Sequence, residues 1–318
     1  MTARRKIKDA DVKKISDIIL NQGFTTINGL ANATALTYTT IKKLLFDRLK
    51  LRIKGYIDWK RLGLIPIIIK FRHPRQLLTG DYVLGTFISN FPIGAYFQYM
   101  LLPPEVILDL KRALHLVDAQ DTTMYDISLI NYEVNLHNDF NLNLRTFKYT
   151  PLDEWNVHQI TQKHLEILRE LHKNYLIQNK IISRLIKLST ITTSKYKQEL
   201  IKNKILIPLF VFSEEQKEWY ISIFSKRNNE KSYSFQDKYV FELSNLQTGE
   251  KEYLTVFGAK YVSPRKIIEI YYEKKKQEED LYLFMNINKL RFPDIKLYDE
   301  KNKKWIWNYE SIGLSDII

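Results

Sequence analysis

The sequence contains no cysteine. That excludes a disulfide framework, thiolate chemistry and cysteine-ligated zinc. Nor is there an apolar run near the roughly 20 residues that span a bilayer; the stretch Leu62 to Ile69 is broken by Pro66. The opening MTARRKIKD lacks the apolar segment of a signal peptide. No Gly-rich phosphate-binding loop, nucleophile elbow or metal motif is found, and neither cofactor nor metal is expected. The expectation is a soluble cytoplasmic protein with no membrane partner, associated with the nucleoid through DNA. The six histidines form no metal cluster in sequence: His164 and His172 share one helix but stand about 12 Å apart by helical rise.

What the chain does have is basic charge, unevenly placed. Across 318 residues the net charge is +13, with 45% hydrophobic residues, enough for folded cores. Residues 1–61 carry 14 Lys/Arg against 5 Asp/Glu, and residues 154–212 carry 10 against 4. Residues 62–153 carry 7 against 9, and in residues 213–318 the 18 of each sign cancel. A basic protein kept soluble by general surface charge spreads it more evenly. Two localised patches point to a polyanion, which nucleic acid satisfies by counterion release.

Inside the first patch, Thr37 to Lys50 reads as a DNA-recognition helix. Thr37 is placed to cap it, and Ile41, Leu44, Leu45 and Leu49 recur at helical spacing and face inward. Tyr38, Thr39, Lys42 and Lys43 then point outward as base readers, with Thr40 among the DNA-contacting candidates. Ahead of it, Val12, Ile15, Ile18 and Ile19 make a first helix ending near Gly23. Thr25 or Thr26 caps a short second helix through Ala31. Leu30, Ala31, Leu36, Ile41 and Leu44 fit a helix-turn-helix, and Ala35 takes the place of the usual turn glycine. Arg52 to Ile57 is expected to form a wing, with Arg52, Lys54, Lys60 and Arg61 on phosphates. The basic arm with Arg4 and Arg5 is expected along phosphates as well.

The run from Ile27 to Phe71, with Gly55-Tyr56 and Leu62-Gly63 in that order, resembles archaeal and bacterial regulators of the leucine-responsive regulatory protein/AsnC (feast/famine) family. The likeness is good over about residues 10–72. It implies an N-terminal helix-turn-helix and a linker strand, then an α+β effector domain opened by the Leu-Gly. It also implies double-stranded DNA as partner and dimerisation through the α+β domains. A Gly-rich, Asp-containing effector loop is not found, Gly94 standing alone, so a small-molecule effector is left open.

Beyond the linker, Leu64–Phe71 reads as a buried strand, Leu77–Ser89 as a helix and Ala95–Leu102 as a strand. A helix from Glu105 to Leu116 and a strand from Tyr125 to Leu136 follow. This is compatible with a ferredoxin-like sandwich lacking one visible strand. Shifting residues 12–71 by 152 reproduces the apolar pattern: Ile15 lands on Ile167, Leu30 on Ile182, Leu36 on Leu188 and Ile53 on Ile205. The second recognition helix, Thr190 to Lys202, then offers Thr192, Ser194, Lys195 and Lys197. It is the weaker copy, with Lys187 at the Ala35 position and Thr193 in place of an inward Ile. Trp305, Trp307 and Tyr309 alternate like a strand with a packing role.

The reading is an α+β protein of two tandem modules, each a winged helix-turn-helix followed by a small ferredoxin-like α/β sandwich. The divisions fall at 1–61, 62–150, 151–212 and 213–318. The expected function is sequence-specific double-stranded DNA binding as a transcriptional regulator, with the second module mainly on phosphates. A non-catalytic scaffold binding protein or RNA through winged helices is the alternative. Relatives with this two-part architecture also decarboxylate tetrapyrroles, but no spacing in the chain groups the His and Arg residues required, and no enzyme is expected.

Overall fold

The computed structural model describes residues 9–22, 26–48, 51–71, 77–89, 91, 94–118, 122–136, 142–148, 158–212, 219–227, 237–259, 262–285 and 290–311. The basic arm with Arg4 and Arg5, Leu49, the 149–156 linker and most of the loop at 227–234 lie outside them.

The chain opens with three helices: α1 (Asp9–Gln22), α2 (Ile27–Thr34) and α3 (Tyr38–Lys42), the last running on as a π-helical turn, Lys43–Arg48. Thr26 caps α2 by accepting from the Gly29 amide, and Thr37 caps α3 by accepting from the Thr40 amide, each at 3.1 Å. Between them Ala35 adopts φ 58°, the left-handed turn that a glycine there would adopt without strain. Ile15, Leu30, Ile41 and Leu44 close the core of this unit with no exposed surface.

Strand β1 (Leu51–Ile57) leads through a 3-10 turn, Trp59–Leu62, to β2 (Ile65–Phe71), with Gly63 at φ 79° ending the turn. Then come β3 (Val83–Ser89), β4 (Ala95–Leu102), α4 (Ile107–Asp118), β5 (Thr123–Leu136) and β6 (Leu142–Lys148). The expected helix over Leu77–Ser89 is corrected here: its second half is β3, the strand missing from the sequence reading. Gln98 fixes the segment before it, accepting from the Leu78 amide at 2.9 Å and donating to the Leu78 carbonyl at 2.8 Å.

The second half repeats the order: α5 (Gln162–Lys173), α6 (Asn179–Leu185), α7 (Thr190–Lys202), β7 (Leu206–Phe212), β8 (Trp219–Ser225), β9 (Asp237–Asn245), β10 (Lys251–Ala259), α8 (Pro264–Lys276) and β11 (Asp280–Met285). Within each half four strands stand in equivalent order, β5-β2-β4-β3 and β11-β8-β10-β9. They do not make two separate sandwiches. β5 pairs antiparallel with β9 from Tyr125↔Asn245 to Val134↔Asp237, fusing these eight strands, with β6 alongside β5, into one sheet of nine strands among the described residues. At its far ends the Leu283 amide donates to Ser89 Oγ at 3.2 Å and the Phe91 carbonyl at 3.3 Å, so β11 curls back to β3.

One face of this curved sheet turns inward and is aromatic. Phe97 lies at its centre, 5.7 Å from Phe224, 5.0 Å from Tyr282 and 5.3 Å from Phe284 between ring centroids. Lys70 reaches Asp280 at 2.9 Å beside the Tyr282 ring. Residues one step out of phase, such as Ile67, Ile69, Ile221 and Ile223, pack into the other two cores.

The expected wing is also corrected. β1 pairs not with a neighbouring hairpin strand but with β7, from Leu51↔Phe212 to Ile57↔Leu206. The two linker strands thus pair with each other, some 155 residues apart in sequence, so no local pattern announces the contact. Gly55 is needed there: a Cβ would lie 2.5 Å from Leu206 Cδ1 and 3.2 Å from the Leu171 carbonyl oxygen. The chain ends in a tail, with β12 (Tyr298–Asp299) paired to β13 (Lys304–Trp305). Trp305 is buried and donates its indole N–H to the Leu62 carbonyl at 2.7 Å. The tail also holds the β3 side, through Arg291 N–H to Leu84 O at 2.9 Å and Tyr82 OH to Ile306 O at 2.6 Å. The strand expected through Trp307 and Tyr309 stops at Trp305, and Tyr309 is exposed.

Candidate nucleic-acid interface

The capped start of α3 directs the side chains of the first basic patch. With Ile41, Leu44 and Leu45 buried, the helical period turns Tyr38, Thr39, Lys42 and Lys43 outward, and all four are exposed. Thr40 is engaged differently. Its hydroxyl lies 2.8 Å from that of Thr37, so it completes the cap. On β1 the alternation leaves Arg52 exposed and Lys54 half-buried. Two residues expected on phosphates are turned to internal ties. Lys60 pairs with Asp126 at 2.7 Å, and Arg61 is buried against Asp58 at 3.0 Å.

In the second unit the cap recurs: Ser189 accepts from the Thr192 amide at 3.0 Å, and the two hydroxyls lie 2.8 Å apart. The turn recurs too, with Lys187 at φ 55°. The candidate contacts do not recur as a set. Thr192 is spent on the cap, Ser194 is half-buried and Lys195 is exposed within 4.0 Å of Glu199. Lys197 is corrected outright: it is 2% exposed, its ammonium 3.5 Å from the Ile177 carbonyl and 3.4 Å from Asn179 Oδ1. Burial pushes its pKa down to about 7. The sequence held the signal, because residues two apart on a helix point about 200° apart and cannot both face outward. At the offset of 152, Lys197 stands where Leu45 is buried.

Of the histidines, His158, His164 and His172 have described side chains. His164 Nδ1 accepts from the Thr161 amide at 3.2 Å, and its Nε2 meets Glu199 at 3.1 Å. His172 bonds the Gly55 carbonyl at 3.1 Å. His158 lies 3.3 Å from the Arg61 guanidinium, and burial together with that charge lowers its pKa. This Asp58–Arg61–His158 group escaped the sequence reading because 97 residues separate its arginine and histidine. Among the described residues no group of three or more His, Asp or Glu side chains is placed to hold a metal, and no helix is long and apolar enough to cross a membrane. Two adjoining clefts, about 280 and 440 Å³, open between Gly80-Asp81 and the tail, the smaller one edged by Arg169 and Arg291.

No protein-family model matches the chain, and no curated protein matches it. One solved structure does. It is described as the siroheme decarboxylase NirDL, and the likeness covers 89% of this chain and 94% of that one, with a TM-score of 0.50 and 14% identity. At that identity the likeness is one of fold: a mixed α/β chain with a large antiparallel sheet. It also overturns the expectation that the chain is no enzyme, because an enzyme is built on this arrangement over nearly the length of both chains. For the expected resemblance to leucine-responsive/AsnC-type regulators there is no sequence-level evidence.

Proposed function

We propose that this chain is a double-stranded DNA-binding transcriptional regulator whose first helix-turn-helix unit reads the bases. The observation that carries the reading is the exposed face of α3, where Tyr38, Thr39, Lys42 and Lys43 project from a helix with a fully buried opposite side. Hydroxyl and ammonium groups in the first turns of a helix are the donors and acceptors that meet base edges and phosphates in a major groove. Arg52, Lys54 and the arm with Arg4 and Arg5 would add phosphate contacts. The repeated element order is read as an old tandem duplication, so one chain mimics a dimer through its β1–β7 and β5–β9 pairings. Of the second unit's candidates, Lys195 alone keeps an exposed charge, so its grip on phosphates is slight. Gel mobility shift with duplex DNA, single strands and structured RNA tests the reading. Duplex should bind best, and Thr39→Ala should reduce discrimination between sites by roughly 1–3 kcal/mol. Equal loss on specific and random duplex would remove the base-reading role, and the stoichiometry of the shifted complex reports any pairing of whole chains.

A second reading is a tetrapyrrole decarboxylase. The fold likeness to the siroheme decarboxylase favours it and does not favour DNA binding. On this reading Arg61 and His158, 3.3 Å apart, are candidates for holding a substrate carboxylate and a proton. Incubation with siroheme and mass analysis for lost carboxylates decides it. Turnover abolished by His158→Ala would favour the enzyme, and unchanged substrate would retire it.

A further inference from the structure

The second helix-turn-helix unit carries three large apolar side chains on its outside. Ile181 is 46% exposed, Leu185 59% and Ile191 84%. Ile181 and Leu185 are one helical turn apart on α6 and share a face. Ile191 is in the first turn of α7, just across the short turn that follows Leu185. Single exposed apolar residues are ordinary. These three fall within 11 residues of one helix pair, Ile181 and Leu185 on one face of α6 and Ile191 in the first turn of α7, and the offset of 152 gives the comparison: the first unit has Gly29, Ala33 and Thr39 at the same positions. The surface that is small and polar in one copy is apolar in the other, and Thr39, the proposed base reader, is replaced by Ile191.

The charge around this patch narrows its occupant. Lys180, Arg184, Lys187 and Lys195 are exposed near it, and the nearby Glu199 lies 3.1 Å from His164 and 4.0 Å from Lys195. A second copy of the same surface would bring like charges together, which opposes self-association. We propose that the second unit is a protein-docking surface for an acidic amphipathic helix of a partner protein. The partner's apolar side chains would cover Ile181, Leu185 and Ile191, while its carboxylates meet the surrounding lysines and Arg184, the helix-on-surface mode of recognition. The inference uses none of the first unit's base-reading residues; Lys195 is the one residue it shares with the DNA reading, and the triple variant leaves that residue in place.

The test uses the full chain and a synthetic helical peptide with leucines at i, i+3, i+4 and i+7 and glutamates elsewhere. A scrambled peptide and a lysine-for-glutamate version serve as controls. Fluorescence anisotropy should show saturable binding of the acidic peptide alone, weakening with salt. Amide exchange should slow in α6 and the first turn of α7. Ile181→Gln, Leu185→Gln and Ile191→Thr combined should lower that affinity at least tenfold. As all three side chains are exposed, the melting temperature and binding to duplex DNA should stay unchanged. Absent binding, equal binding of the control peptides, or full affinity in the triple variant overturns the proposal. It is also overturned if the triple variant abolishes a concentration-dependent dimer, which makes the occupant a second copy. Loss of duplex affinity in that variant overturns it in favour of DNA on this face.

Discussion

The two helix-turn-helix units share an element order and differ in where they keep their apolar groups. The first buries Ile41, Leu44 and Leu45; at the same offset the second places Thr193, Tyr196 and Lys197. On the outside the first has Gly29, Ala33 and Thr39 where the second has Ile181, Leu185 and Ile191. What is common to both is local: a hydroxyl cap on the third helix and a left-handed residue in the turn. Caps and turn geometry thus specify the unit even when part of the polarity pattern is reversed. Two of these polar groups find good partners, whereas Lys197 has only long contacts of 3.5 and 3.4 Å. The Thr193 hydroxyl donates to the Ser189 carbonyl at 2.9 Å, and Tyr196 stacks on His164 with centroids 4.1 Å apart.

The largest effect should come from the element that has no counterpart in the first half, the tail. Trp305→Ala removes a buried ring and its bond to Leu62, and should cost about 3–5 kcal/mol in denaturant unfolding. A loss below 1 kcal/mol would mean the tail is an accessory to the first half's core.

Lys197→Leu gives the second unit the residue type of the first. It should stabilise the protein by about 1–4 kcal/mol at pH 7, because an ill-satisfied buried charge is replaced by an apolar group. Its pKa is about 7 when folded and near the ordinary 10.5 when unfolded, so the native state binds fewer protons between those values. Wild-type stability should therefore rise as pH increases through that window, and the advantage of Lys197→Leu should shrink. Below pH 7 both states are protonated and the advantage is full. A gain independent of pH from 7 to 10 would contradict the burial of the ammonium.

Gly55→Ala probes the place where the linker strand of one half meets α5 of the other. The added methyl must displace the buried Leu206 and approach the Leu171 carbonyl, at a cost of about 1–3 kcal/mol. The smallest effects should be equal: Ala35→Gly and Lys187→Gly each relieve a left-handed residue and should each stabilise by about 0.5–1 kcal/mol. Unequal changes in thermal unfolding would show that the two turns differ in strain after all.

Local signals were legible in the sequence. The caps at Thr26 and Thr37 follow from hydroxyls ahead of apolar helical runs, and β4 follows from its apolar and aromatic stretch, broken only by Gln98. The Leu62-Gly63 step was expected only from the family resemblance to open β2; the structure adds that Gly63 takes the left-handed conformation and Leu62 is buried. β3 was hidden because the apolar residues of 77–89 also fit a helical period, and only the clamp of Gln98 on Leu78 shows why the segment stays extended. The β1–β7 pairing, the β5–β9 junction and the Asp58–Arg61–His158 group join residues roughly 100 or more apart in sequence, where no periodicity reaches. The inward turn of Lys197 was readable from helix geometry but masked by its neighbours' basic composition.

The most direct test of the central claim compares the two units on duplex DNA as the salt concentration is varied. Lys42→Ala with Lys43→Ala should flatten the salt dependence of binding by up to about 1.8 in slope, at about 0.9 per lost phosphate contact. Lys187→Ala with Lys195→Ala should leave the slope nearly unchanged, because the account gives the second unit's outer surface to a protein partner. Equal flattening by both pairs, or a larger effect from the second, would contradict the division of labour between the two units.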